Sequence, residues 1–483
     1  MLAASMFIMP YGDDWGYYTE PQSINRVASA LVLPGAGHWR PIDVAFGLLL
    51  GVFPTLYPGL NHVVVVLGHA LSTFMLFKIG RRIGFSLNSS YVASILFFVS
   101  GNSFATSFSV DSINQSLCLG FGALSIWSVI KKDNVQYGSY LIWSVLAAAC
   151  KETGFIFFII GPTIRLSMRY RSLSSLRNVN AREEVPPFVV GGVLTLLYFV
   201  YTFGPQFVVR MAHTTTREFW GNQSYYNLPF GFLALVGRVL PVDLPSLLIS
   251  PPNHAVAVVS IAFGLPLVIV SAYHVTRLIL RGDSFVIVIS IGILGVAVSH
   301  ALVNAITEMN SYPCIFFFSF FLMQGLEGIA TSKHLSMAMV SLFAVASIVT
   351  LVHKYSIIID SNKMANIVVH NIIKESSRKP ERVYIMLIDN ESLGHDIYQA
   401  IPPIGAGNGQ IMKMVWHDWN MDMVIASYQV SATSTDLVHT LSTFTLDAHN
   451  AEKTLDAIAH DSIKTYDAVW KLYQDGSVTV LER

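Results

Sequence analysis

From residue 59 to residue 353 the chain alternates long apolar runs with short polar ones. The runs fall at 59–79, 89–108, 112–130, 136–150, 153–166, 186–204, 254–275, 284–303, 313–330 and 335–353. A helix needs roughly 20 mostly apolar residues to cross the hydrocarbon layer, and most of these windows meet that length. The windows at 136–150 and 153–166 are short, and Lys151-Glu152 lies between them. Residues 1–9 are apolar but far too short to span, so they read as the stub of a first span or the end of one that begins upstream; they lack the charged start and cleavage site of a signal peptide. The pattern predicts a polytopic α-helical membrane protein of about ten or eleven spans, its membrane domain covering 1–355. A first outer loop occupies 10–58 and a long outer loop 205–254.

Near Asn362 the period changes. Arg382–Ile388, Ile411–Trp416 and Met423–Tyr428 read as short strands, and Asp475-Gly476 between Ala468–Tyr473 and Ser477–Leu481 is a hairpin signal. Residues 362–483 are therefore expected to form a small α/β domain. Gly405-Ala-Gly407-Asn-Gly409 neither follows a strand nor opens a helix, so it reads as a turn rather than a dinucleotide loop.

Composition supports the membrane reading. Hydrophobic residues make up 53% of the chain, charged residues 12%, and mean hydropathy is +0.53, against roughly a quarter charged in soluble domains. Formal net charge is zero and no basic tract stands out, which argues against a nucleic-acid partner. Cys118, Cys150 and Cys314 lie in or beside apolar segments without metal or disulfide spacing, and read as packing residues.

Charge then orients the chain. With the loop at the 80s placed inside, and counting to 353, the inner loops hold thirteen Lys and Arg and the outer ones six: Arg26, Arg40, Lys151, Arg210, Arg217 and Arg238. That is the positive-inside bias. The α/β domain is then extracytoplasmic. Acidic residues run the other way, with Asp13, Asp14, Glu20, Asp43, Asp111, Glu152, Glu218, Asp243 and Glu308 outside. Acids contribute little to topology, so an outward cluster points to a polar outer cavity. In the 205–254 loop, Phe219, Trp220, Tyr225 and Tyr226 are interleaved with Arg210, Arg217 and Arg238, a mixture that suits contact with lipid headgroups.

Three charged features stand at outer ends of spans: Asp13-Asp14 in Gly12-Asp13-Asp14-Trp15-Gly16, Asp111, and Lys151-Glu152. Charge near hydrocarbon is costly and usually marks a site. Taken alone, the aspartates are as readily a solvated loop, and Lys151-Glu152 a mutually neutralising pair. The functional alternative gives Lys151 a phosphate to hold and Asp13 or Asp14 the role of general base toward a hydroxyl. Two adjacent carboxylates facing solvent could share Mg²⁺ or Mn²⁺, and the sequence leaves a need for metal open.

The ordered signatures resemble those of the GT-C superfamily of polytopic glycosyltransferases, in particular protein O-mannosyltransferase-like and related bacterial members. They are Gly12-Asp13-Asp14-Trp15, His38-Trp39-Arg40-Pro41-Ile42, Tyr57-Pro-Gly-Leu-Asn61-His62 running through His69-Ala-Leu71 to Gly80-Arg-Arg-Ile-Gly84, and Lys151-Glu-Thr-Gly154. They cover about the first third of the chain. The resemblance implies inverting transfer of a sugar from a polyprenyl-phosphate carrier to a glycan, lipid or protein acceptor on the non-cytoplasmic face of a bacterial inner or plasma membrane. It places Asp13, Asp14 and Asp111 at catalytic positions, with Asp13 and Asp14 as the candidate metal ligands. Lys151, Glu152, Arg40 and Arg217 fall at the carrier phosphate, and His38, His62, Glu308 and Tyr312 are further cavity candidates. The spacing from His38 to Arg40 is shorter than in the tetratricopeptide-bearing relatives, and no tetratricopeptide array follows.

Two other readings compete. A multi-span transporter or flippase for a polar or lipid-linked substrate predicts internal repeats and charges at mid-depth, whereas no repeat is evident in this chain. An assembly protein whose working part is the terminal domain predicts no lipid-sized lateral opening.

Overall fold

In lipid the backbone must satisfy its own hydrogen bonds, so apolar windows of this length fold as helices. In the computed structural model all ten windows are helical. The structure describes residues 24–32, 39–51, 58–108, 112–131, 134–213, 237–238, 240, 254–302, 308–330, 332–388, 421–431, 443–447, 450–473 and 477–483. Within them the elements are α1 (Ile24–Val32), α2 (Pro41–Gly51), α3 (Pro58–Ile83), α4 (Leu87–Phe98), α5 (Phe104–Phe108), α6 (Ile113–Ile130), α7 (Tyr137–Cys150), α8 (Phe157–Arg169), α9 (Ala181–His213), α10 (His254–Leu280), α11 (Ser284–Leu302), α12 (Glu308–Ile329) and α13 (Lys333–Glu375). The terminal domain adds β1 (Arg382–Ile388), β2 (Asp422–Ser431), β3 (Thr443–Asp447), α14 (Ala451–Ser462), β4 (Ala468–Tyr473) and β5 (Val478–Glu482).

Among the described residues six helices are by themselves long and apolar enough to cross a membrane: His62–Ile83, Ile113–Ile130, Ala181–Thr202, Ala255–Leu280, Asn310–Ile329 and Lys333–Ile359. Leu87–Phe98, Tyr137–Cys150 and Ser284–Ala297 are shorter apolar helices. The expected window at 89–108 is interrupted, and a tight turn joins the two expected at 136–150 and 153–166. α4 passes through a 3₁₀ turn, Gly101–Ser103, into α5, and α7 passes through a second, Glu152–Ile156, into α8.

Burial sorts the helices. The spanning windows of α6 and α12 are 83% and 78% buried, so these two form the middle of the bundle, whereas those of α9, α10 and α13 are 22%, 28% and 22% buried. The exposed face of α9 is a stripe of Val189, Val193, Leu196, Leu197 and Val200 at helical spacing, the face such a helix turns to lipid tails. Along the inner face of α12, Tyr312, Phe316 and Phe320 recur every four residues and build an aromatic column: Phe97 meets Tyr312 and Phe316, and Phe320 meets Phe285. Where α12 crosses α10, Gly325 and Gly328 face Ser271 and His274. A Cβ on Gly325 would lie 2.3 Å from Ser271 Oγ and one on Gly328 2.2 Å from His274. Small residues let backbones approach closely, which is how helices associate where hydrophobicity gives no preference.

The end that the charge bias assigns to the inside is tied by arginines. Arg82 Nε and Arg165 Nη1 donate to the carbonyls of Ile130 and Val129, at 2.7 Å and 3.0 Å, so the last turn of α6 finds donors on other helices. Arg165 also meets Glu184 at 3.2 Å, with both side chains almost fully buried, and Arg169 meets Glu183 and Glu184. Arg171 pairs with Asp283 at 2.9 Å, where Gly282, at φ +72°, turns the chain between α10 and α11.

The terminal domain has a five-stranded sheet in the order β3-β2-β1-β4-β5, parallel except for β5. The β4–β5 hairpin is the one that Asp475-Gly476 marks, with Leu472 opposite Val478. β1 sits at the centre, and its side chains alternate between faces. Val383, Ile385 and Leu387 pack with Trp470, Leu472 and the α13 residues Val368 and Ile372. Met386 and Ile388 pack on the other face with Val469 and with Leu455 and Ala459 of α14. α13 runs without a break through 355–362, so its last turns are part of the sheet's own core. The strand expected at 411–416 and the turn at 405–409 lie outside the described residues.

Candidate active site at the Lys151 end of the helices

The Lys151-Glu-Thr-Gly154 segment makes a sharp junction. α7 ends at Cys150, Lys151 is extended (φ −154°, ψ 150°), and the chain tightens at once into the 3₁₀ turn. Gly154 N donates to Lys151 O at 2.9 Å. A Cβ on Gly154 would fall 2.2 Å from Ala147 O, so the turn folds back onto α7 through a gap that only glycine fits. One extended residue between two helical ones sends neighbouring side chains to different places. Lys151 is 6% exposed and its Nζ donates to Asn310 Oδ1 of α12 at 3.3 Å. Glu152 instead receives Arg40, which donates Nε to Oε1 at 2.6 Å and Nη2 to Oε2 at 2.8 Å. This is the two-pronged guanidinium–carboxylate geometry. The lysine and glutamate thus each reach a partner on a different element, α12 for Lys151 and the residue ahead of α2 for Glu152.

Arg40 is held in place by what flanks it. Pro41 opens α2 with a residue suited to the first helical position, and the residue before a proline is kept out of helical conformation. Arg40 therefore stands just ahead of the helix, its carbonyl accepting from Val44 N at 3.2 Å. Trp39 packs edge-on against Tyr198 and Tyr201 of α9, with ring centroids 6.3 Å and 5.9 Å apart, and Phe155 stacks on Tyr198. The Trp39-Arg40 pair of the first outer loop is thus fastened to α9 and to the junction 112 residues downstream.

Tyr312 is wholly buried and its hydroxyl lies 2.6 Å from His69 Nδ1, while His69 Nε2 lies 3.0 Å from Phe98 O. Phe97 and Phe98 flank the imidazole ring. His62 is buried in the first turns of α3. A second polar knot lies at the same end. Lys354 Nζ donates to Asn102 Oδ1 at 3.1 Å, and Asn102 Nδ2 donates to Arg238 O at 2.7 Å, with Arg238 itself buried.

Of the residues singled out from sequence, the structure joins Arg40 to Glu152, sets Lys151 beside them in the chain, and ties Tyr312 to His69. Asp13, Asp14, His38, Asp111 and Arg217 lie outside the described residues; Glu308 opens α12, but its side chain lies outside them too. Sequence reading did not single out Asn310, Asn102 or Lys354. Asn310 precedes the window at 313–330 by three positions, and Lys354 follows the last window by one. Among the described residues no group of three or more His, Cys, Asp or Glu side chains is placed to hold a metal ion.

No family model and no curated protein matches this chain. Two solved structures do, both of ArnT from Cupriavidus metallidurans. The one bound to undecaprenyl phosphate is 13% identical over 87% of each chain, with a TM-score of 0.39. The apo form is 11% identical over 98% of this chain and 90% of that one, with a TM-score of 0.44.

Proposed function

We propose that this integral membrane protein is a glycosyltransferase that moves a sugar from a polyprenyl-phosphate carrier to an acceptor hydroxyl on the non-cytoplasmic face. The observation that carries the reading is the junction at Lys151-Glu152. There a buried ammonium group and a guanidinium–carboxylate clasp occur side by side at one end of an apolar bundle. Buried charge of this kind is expensive and rarely retained without a task. Lys151 and Arg40 are the cations that would receive the carrier phosphate, with Glu152 orienting Arg40 and Arg217 joining from the long outer loop.

In the reaction, Asp13 or Asp14 takes the proton of the acceptor hydroxyl. The acceptor oxygen attacks the anomeric carbon from the face opposite the carrier, the bond from that carbon to the phosphate oxygen breaks, and the carrier leaves as its phosphate with inversion at the sugar. Positive charge at Lys151 and Arg40 stabilises the leaving phosphate as its charge grows. Asp111 stands as the second acid. A divalent ion at Asp13 and Asp14, if the enzyme uses one, would supply further charge stabilisation there.

The test is transfer in membranes from polyprenyl-phosphate sugar by Asp13→Asn, Asp14→Asn and Lys151→Met. One aspartate variant and the lysine variant should each lose at least a hundredfold in rate; full activity in both aspartate variants removes the proposed base. The same reading puts residues 362–483 outside the cytoplasm. Cys118, Cys150 and Cys314 are all buried, so cysteines introduced at Ser174 and Ser462 should be labelled by an impermeant maleimide from opposite sides. Labelling from the same side would overturn the orientation.

A further inference from the structure

Most hydroxyls inside the bundle are satisfied by their own helices. Ser72, Ser94, Ser128, Ser271 and Ser319 each donate to the carbonyl four residues earlier. Among the exceptions, which include Ser90, Thr202 and Ser347, four residues fall on the adjoining α5 and α6. Thr106 Oγ1 and Ser107 Oγ of α5, Asn114 Oδ1 of α6, and both amide atoms of Gln115 are buried without a hydrogen-bond partner. The four residues are 0%, 0%, 2% and 1% exposed. Buried polar atoms are normally paired, and a glutamine with neither end paired inside an apolar bundle is a costly arrangement unless something else supplies the bonds.

Their place in the fold points to what supplies them. α5 packs against α3, α6 and α12, and α12 carries Asn310, the partner of Lys151. Asn114 lies one helical turn before Cys118, hence on the same face of α6, and the Cys118 thiol sits beside the hydroxyl of Thr153 in the Lys151–Gly154 junction. Asn114 therefore lies toward the junction that carries Lys151, α5 packs on the helix that carries its partner Asn310, and the four residues bracket Asp111 in the chain. On these two adjoining helices, two hydroxyls and two amides supply neutral donors and acceptors. That set does not select an anion, a cation or a lipid tail. It is complementary to a ring bearing several hydroxyls, each of which both donates and accepts.

We propose that Thr106, Ser107, Asn114 and Gln115 form the subsite that recognises the hydroxyl groups of the donor's sugar ring. The proposal rests on the glycosyltransferase reading and adds to it the residues that distinguish one sugar from another. A site built to bond hydroxyls discriminates strongly against ligands that lack them, because its own groups are then left unpaired.

The experiment measures binding of bare undecaprenyl phosphate and of its mannose, glucose, galactose, arabinose and N-acetylglucosamine derivatives to the full chain in nanodiscs. Wild type is compared with Asn114→Leu, Gln115→Leu and the near-isosteric Thr106→Val, and thermal stability is recorded alongside. Wild type should prefer at least one sugar-loaded carrier to the bare one by tenfold or more. The leucine variants should lose that preference while binding bare carrier within twofold of wild type, and Thr106→Val should weaken it without loss of folding. Their melting temperatures should hold or rise, since replacing an unpaired buried polar group by an apolar one relieves its burial penalty. An unchanged preference in all three variants would mean that water serves these groups, and overturns the proposal while leaving the transferase reading standing. Wild type showing no preference for any sugar overturns it likewise. Failure of wild type to bind any carrier, loaded or bare, overturns the transferase reading and this subsite with it.

Discussion

Replacing Glu152 by Gln leaves the shape of the Arg40 clasp intact and removes its charge. The two bonds are 2.6 Å and 2.8 Å long. Hydrogen bonds to charged groups contribute about 1.5–3 kcal/mol each and neutral ones about 0.5–1.5 kcal/mol. The side chains are 27% and 20% exposed, so solvent screens part of this, and the expected net loss is about 1–2 kcal/mol. Reversible SDS unfolding in mixed micelles of wild type, Glu152→Gln, Arg40→Met and the double variant gives the coupling directly. The double variant should cost no more than the worse single one, a coupling of about 1–2 kcal/mol. Arg40→Lys should recover less than half, because an ammonium group cannot make both bonds at once. Strictly additive single effects would show that the two side chains do not depend on each other, and the argument that Glu152 orients Arg40 would fail.

Gly154→Ala sets a methyl against the Ala147 carbonyl at 2.2 Å and should destabilise by about 1–3 kcal/mol; because the shift occurs at the junction, carrier affinity in a nanodisc binding assay should fall further than that of Gly192→Ala, where a Cβ meets nothing within 4 Å. Arg165→Met strips one partner from a buried pair, but Arg169 still meets Glu184, so it should cost about 1.5–3 kcal/mol in SDS unfolding and adding Glu184→Leu should recover little of it; a double variant restored to wild-type stability would contradict this. In the terminal domain, the hydrogen bond and charge of Lys471 hold the Asp456 carboxyl below its usual range. Its stabilisation is present above the unfolded carboxylate value near ~3.9 and is lost as pH falls through the depressed folded value. Hydrogen exchange in β4 should therefore accelerate on acidification below about pH 4, and Asp456→Asn should show that faster exchange already at neutral pH.

The windows were legible because hydrophobic burial in lipid acts on every residue of a span, so a run of apolar side chains reports its own fate. The β4–β5 hairpin was legible for a local reason too, since Asp475-Gly476 encodes a turn. What was not legible depends on partners far apart in sequence. Nothing near Arg40 says that it will meet Glu152, or near Lys151 that it will meet Asn310. Lys151-Glu152 was open to reading as a self-neutralising pair, and its further partners, Asn310 and Arg40, come from α12 and the start of α2. The helices of the first outer loop escaped notice because α1 is nine residues and α2 eleven, too short to show as spans. The sheet order, which inserts β4 between β1 and β5, follows from how α14 crosses the sheet rather than from any strand's composition.

α13 is 43 residues long, about 65 Å at 1.5 Å per residue, more than twice the thickness of a hydrocarbon layer of about 30 Å. Its far end is built into the sheet through Val368 and Ile372, with no loop between bilayer and domain. A head mounted on such a post cannot swivel freely over the membrane. Any change in its height or heading requires the post itself to lean, so lipid thickness and the angle of one helix govern how closely the head approaches the bundle beneath it.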